Sequence, residues 1–149
     1  DFLHNLPAVL GVVMRSKVLY ETDNRFVLKD TDRLKEYLFS LYADTIAERA
    51  YILFLNKGFR LIKYELICEG SIDEVYLDIK MAVRRALMNH AAYVVLTHNH
   101  PSGLVFPSDS DIISTRELSE ALNTVKIGFW DHVIVGGNQY YSFRESRNY

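Results

Sequence analysis

Two periodicities alternate along this chain, and each marks a different kind of element. Leu34, Leu38 and Leu41 recur at helical spacing behind Thr31, which can cap a helix running to about Asp44. Tyr51-Ile-Leu-Phe-Leu55 then reads as a strand, Asn56-Lys57-Gly58 as a turn, and Phe59 to Cys68 as the returning strand. Asp78 can cap the next helix, whose Ile79, Ala82, Val83, Ala86 and Leu87 fall at i, i+3, i+4, i+7 and i+8. Ala92-Tyr-Val-Val-Leu96 is apolar without alternation, which suits a strand buried on both faces. Beyond a Pro/Gly loop a helix is predicted from Asp109 to about Thr124, with Leu118, Ala121, Leu122 and Val125 as its apolar stripe. Lys126 to Val135 and Gln139 to Phe143 read as a hairpin around Gly136-Gly137-Asn138.

The order helix, two strands, helix, strand, helix, two strands predicts an α/β domain with a mixed sheet flanked by helices. Residues 5 to 20 are apolar but poorly patterned, as expected of a short helix belonging to an upstream region. Residues 1–29 are therefore set apart as an N-terminal segment, with the domain proper at 30–149. The chain opens on Asp1 rather than Met, which is expected of a piece of a longer protein.

Composition narrows the possible functions. The 149 residues are 49% hydrophobic and 24% charged, with ten Tyr and eight Phe, enough for a packed core. The net charge is −2, and no run of Lys or Arg exceeds a pair. Phosphate binding asks for a basic face, so charge gives no support to a nucleic-acid partner. The single cysteine, Cys68, excludes an intramolecular disulfide and a cysteine-based zinc cage, and it reads as a core residue at a strand end. The apolar stretches are too short to span a bilayer, and no signal segment is evident, so the expected location is cytoplasmic and no membrane partner is expected.

The stretch that carries chemistry runs from Thr97 through His98-Asn-His100-Pro-Ser-Gly to Pro107-Ser108 and Asp111. His98 and His100 are two apart at the C-terminal end of the buried strand, so an extended backbone turns both imidazoles to one side. Ligands of open α/β sheets gather beyond such strand ends. Asp111 stands seven residues before Leu118, on the inward stripe of its helix, and an inward charge needs a partner. Two imidazoles and a carboxylate suit Zn²⁺ and leave a fourth position open. Ser108-x-x-Asp111 is also a capping box, which would explain both residues as helix punctuation. His132 reads as a hydrogen-bonded structural histidine, and His4 and His90 belong to no constellation.

The spacing His-x-His-x7-Ser-x2-Asp resembles that of the JAMM metalloproteases, the MPN-positive domains. His-Asn-His-Pro-Ser-Gly followed by Pro-Ser-x-x-Asp is similar to the RadC branch of that family. So are Glu48 before Ile-Leu-Phe-Leu-Asn56, Gly70-Ser71-Ile72-Asp73, the helix ending Ala-Leu-Met-Asn, and Trp130-Asp-His-Val-Ile-Val-Gly136. The resemblance covers roughly residues 30 to 145, and the helix-hairpin-helix region that usually precedes the RadC domain is not expected here.

The resemblance implies a cytidine-deaminase-like JAMM/MPN fold with zinc on His98, His100 and Asp111. It implies Glu48 as general base, a choice that residue chemistry alone leaves open against Glu65 and Glu69. It implies Ser108 as a stabiliser of the tetrahedral intermediate. The implied reaction is hydrolysis of an amide or isopeptide bond in a peptide or protein conjugate. The family usually carries small or polar residues where this chain has Leu104-Val105-Phe106, which reads either as a substrate contact or as packing of the loop onto the core. A role in DNA repair or as a metal-dependent nuclease is the first rival, and a non-catalytic interaction module the second.

Overall fold

The computed structural model describes residues 26–70 and 77–147. The apolar stretch at 5–20, His4 and Ser71-Ile72-Asp73 lie outside these residues. The elements are α1 (Thr31–Tyr42), β1 (Arg49–Leu55), β2 (Leu61–Glu69), α2 (Ile79–Met88), β3 (Tyr93–Asn99), α3 (Asp109–Thr124), β4 (Gly128–Gly136), β5 (Gln139–Ser142) and a short α4 (Phe143–Ser146). The five strands form one mixed sheet in the order β2-β1-β3-β4-β5. Among the described strands only the β3–β4 pair is parallel, and α3 makes the crossover between them.

Strand alternation divides the core between the two faces of the sheet. Leu53, Leu55, Val95, Val133 and Val135 pack with Leu34, Leu38 and Leu41 of α1. Ile52, Phe54, Val94 and Leu96 pack with Ala82 and Ala86 of α2 and with Leu118 and Leu122 of α3. Strand β3 is covered on both faces, as its unbroken apolar run requires. Truncating any of these leucines to alanine should cost about 2–5 kcal/mol.

Several element boundaries differ from the sequence expectation. The cap of α1 is Asp30, whose Oδ1 accepts the Arg33 N–H at 2.9 Å, and Thr31 is the first helical residue. Asp78 caps α2 as expected, accepting the Met81 N–H at 3.0 Å. Leu87 is half exposed and outside the core, because the chain turns away at Asn89 and Ala91 joins the buried set instead. Phe59 belongs to the turn, not to β2, with φ of 64°. The Asn56 side chain holds that turn by accepting the Gly58 and Arg60 N–H groups at 2.9 and 3.0 Å. Strand β4 starts at Gly128 rather than Lys126. Phe143 opens α4 because Ser142 caps that turn, accepting the Glu145 N–H at 3.1 Å. Strand β3 extends to Asn99, so His98 lies within the ladder. None of the described helices is long and apolar enough to cross a membrane.

Candidate metal centre

The side-chain parity of β3 places His98 on the face of Val94 and Leu96, toward α3. His100 follows the strand, and its N–H donates to Val135 O at 2.8 Å, which keeps the backbone in register past Asn99. Both imidazoles therefore turn to one side, with ring centroids 4.8 Å apart. Their Nε2 atoms are 3.0 Å from each other. The second nitrogen of His100, Nδ1, lies 2.6 Å from Leu104 O. A carbonyl can only accept, so Nδ1 carries the hydrogen and Nε2 of the neutral ring presents its lone pair.

Helix α3 delivers Asp111 from the other direction in the sequence. Its buried residues are Asp111, Thr115, Leu118 and Leu122, a single inward stripe. Ser108 caps the helix: its Oγ accepts the Asp111 N–H at 3.0 Å, and its own N–H donates to Asp111 Oδ2 at 2.9 Å. The capping box is therefore real, yet it engages only one carboxylate oxygen. Oδ1 is buried without a hydrogen-bond partner and sits 3.6 Å from His98 Nε2. Burial raises the Asp111 pKa, but the His98 contact and the Ser108 N–H outweigh it and hold the carboxyl at about 2. Asp111 is thus ionised at neutral pH.

Glu48 joins the cluster from the start of β1, the strand that pairs antiparallel with β3. One donor atom from each of Glu48, His98 and His100 lies within 4.8 Å of the others, so these three could hold a metal ion. The placement of Glu48 depends on a residue that the sequence did not single out. Asn99 Oδ1 accepts the Arg49 N–H at 2.7 Å, and its Nδ2 donates to Ala47 O at 3.0 Å. Glu48 O also accepts the Gly70 N–H at 2.8 Å. The backbone is thereby clamped on both sides of Glu48 by the residue between the two histidines.

The donor set fits a cation. A shared proton would satisfy the two facing nitrogens and leave Asp111 Oδ1 bare; Asp111 stands 3.6 Å from His98 Nε2 but outside the group of Glu48, His98 and His100 whose donor atoms lie within 4.8 Å of one another. The 3.0 Å nitrogen separation is near the roughly 3.3 Å that tetrahedral bonds of about 2.0–2.1 Å impose.

Other candidates fall outside this set. His132 is buried and hydrogen-bonded, with Nε2 2.9 Å from His98 Nδ1 and Nδ1 2.6 Å from Thr115 Oγ1. Burial, then the neighbouring His98 ring, push its pKa well below the usual histidine value, so it is neutral. Cys68 is half-buried, and burial followed by the charge of Glu48 raises its pKa, which disfavours the thiolate. His90 joins no cluster among the described residues. In the loop, Val105 is buried against Ile134 and Phe143, while Leu104 and Phe106 are 69% and 76% exposed. Phe106 therefore does not pack the loop onto the core; Val105 does. Gly136 permits that approach, since a Cβ there would lie 2.9 Å from both Gly103 C and Val105 Cγ1. A cleft of about 550 Å³ opens beside His100, bounded by Phe39, Tyr42, Ile46, Pro101 and Asn138. A larger cavity of about 860 Å³ lies over β2 and α2 and includes none of the clustered residues.

A five-stranded mixed sheet flanked by helices, with a histidine pair at the end of its central strand, defines a domain of the JAB/MPN type. The sequence model of the RadC-like JAB domain matches residues 28–148, and the chain belongs to that family. A UPF0758 protein of Vibrio campbellii is 40% identical over 141 residues, 94% of this chain and 62% of that relative. UPF0758 proteins of Vibrio atlanticus and Aliivibrio fischeri are 42% and 34% identical, over 94% and 90% of this chain. The chain spans 60–62% of the length of these relatives, whose names carry no activity.

Proposed function

We propose that this domain is a zinc-dependent hydrolase of the JAMM type, acting on an amide or isopeptide bond. The ligands are His98, His100 and Asp111, and Glu48 is the general base. The observation that carries this reading is the buried, partnerless Asp111 Oδ1 at 3.6 Å from an imidazole nitrogen that already faces a second one. An orphaned buried carboxylate oxygen costs several kcal/mol unless a cation meets it.

A bound zinc ion supplies Lewis acidity, polarising a carbonyl and making water nucleophilic at neutral pH. The remaining work belongs to the chain. His98 and His100 are held by β3 and by the Leu104 carbonyl, so their geometry precedes any ligand. Glu48, on a backbone clamped by Asn99, takes the proton that the attacking water loses and returns it to the departing amine. Ser108, at the start of α3 beside Asp111, donates to the developing oxyanion. Exposed Leu104 and Phe106, on the loop that supplies the His100 partner, favour a peptide or protein conjugate with apolar side chains.

The test pairs metal analysis with turnover. Prepared with zinc and without chelators, the domain should carry close to one zinc per chain, and Glu48→Gln should keep it. On a peptide or isopeptide library the variant should lose about 10²- to 10⁴-fold in rate. Equal turnover by both proteins would place the base elsewhere, with Glu69 the next to examine. Metal-dependent cleavage of DNA and of no peptide would sink the amide reading.

A further inference from the structure

The nitrogens of His98 are assigned by a chain of partners that begins in the backbone of α3. Thr115 Oγ1 lies 2.7 Å from Asp111 O, a carbonyl that can only accept, so the one hydroxyl hydrogen is spent there. The same Oγ1 is 2.6 Å from His132 Nδ1, and having no second hydrogen it must accept, which puts a hydrogen on Nδ1. The Nε2 of neutral His132 is then an acceptor, and His98 Nδ1, 2.9 Å away, must donate to it. His98 is left with its lone pair on Nε2, the atom that faces His100 and Asp111. The His132 ring is held in plane by Phe143, stacked at 4.5 Å with an interplanar angle of 8°. Every member of the chain is buried, so water does not compete for these bonds.

We propose that His132 and Thr115 are positioning residues that set the tautomer of His98 and tie it to the helix turn carrying Asp111. The proposal rests on the metal-site reading above. The chain returns to its origin: Thr115 is anchored on the residue whose carboxylate approaches His98. Two ligands on different elements, the end of β3 and the start of α3, are locked to each other through β4 before any metal arrives. A carboxylate or carbonyl usually orients a metal-binding histidine. Here the acceptor is a second histidine, which can accept only while Thr115 holds its other nitrogen protonated. The residue at 115 therefore controls metal affinity from beyond the ligand set.

Two measurements test this. In metal-free wild type, long-range ¹H–¹⁵N spectra of the imidazoles should show a hydrogen on Nδ1 of His98 and on Nδ1 of His132, with His132 Nε2 bare; a bare His98 Nδ1 or a hydrogen on His132 Nε2 would overturn the proposal. By chelator competition, Thr115→Val should lose about 10- to 100-fold in zinc affinity, while Thr115→Ser, which restores the hydroxyl, should stay within a few-fold of wild type. Folded Thr115→Val that binds zinc as tightly as wild type would overturn the relay. If Thr115→Val does not fold, the nitrogen spectra still decide. Wild type that takes up no zinc would instead sink the proposed function, and the tautomer of His98 would be judged separately from the same spectra.

Discussion

Asp111 and Asp131 are both buried carboxylates, at 2% and 0% exposure, and they are treated in opposite ways. Asp131 is satisfied on both oxygens: Ser142 Oγ donates to Oδ2 at 2.6 Å and the Arg144 N–H to Oδ1 at 3.0 Å. Those donors do not compensate fully for burial, which pushes its pKa up to about 6. Asp111 has a bare oxygen and a carboxyl held at about 2. The first pattern builds a corner, pinning the β5–α4 turn and with it Phe143 beneath His132. The second caps α3 with one oxygen and leaves the other beside an imidazole nitrogen, which is how a carboxylate available to a cation is placed. Satisfaction, more than burial, separates the two roles.

The comparison breaks most directly on matched amide variants. Asp111→Asn keeps an oxygen for the Ser108 N–H, so the metal-free variant should fold with the start of α3 still capped. Its zinc affinity should fall at least about 100-fold by chelator competition, since even outer partners of metal ligands are worth 10- to 100-fold. Asp131→Asn, which can keep both polar contacts of the corner, should stay within a few-fold of wild-type zinc affinity. Unaltered zinc binding in Asp111→Asn would reduce Asp111 to a capping residue like the other helix caps.

A smaller effect sharpens the contrast through pH. The Asp131 pKa rises from an ordinary 3.8 to about 6 on folding, so between these values the folded state binds the proton more tightly than the unfolded one. Stability from this group is therefore fully present below about pH 4 and declines as pH rises through about 6, by about 2–3 kcal/mol. Denaturation of wild type and Asp131→Asn across pH 4 to 7 should show this loss in the wild type and not in the variant. Parallel curves would mean that the corner does not hold its proton.

The periodicity of the chain made the sheet and its helices legible because burial enforces it: Val94, Val95 and Leu96 are apolar because both faces of β3 are covered. The histidine pair was legible for the same reason, since strand parity turns His98 and His100 to one side. Boundaries were less so, because Asp30 and Thr31 are both competent caps and only the turn geometry chooses. Asn99 was hidden because its task is to clamp a backbone about fifty residues away, a contact with no local pattern. Thr115 stood on the Asp111–Leu118 stripe and could have been found as a polar residue where an apolar one was due. Glu48 was reachable only through family resemblance, because Glu65 and Glu69 are equivalent to it in composition and only the Asn99 clamp distinguishes its place.

The central claim is that a metal sits among His98 Nε2, His100 Nε2 and Asp111 Oδ1 while Glu48 stands off as a base. Anomalous diffraction at the zinc edge from zinc-loaded crystals tests this directly. The account predicts one peak at about 2.0–2.2 Å from each of those three atoms, with the Glu48 carboxylate beyond bonding distance. No peak there, or a peak bonded to Glu48 with Asp111 left aside, would contradict it.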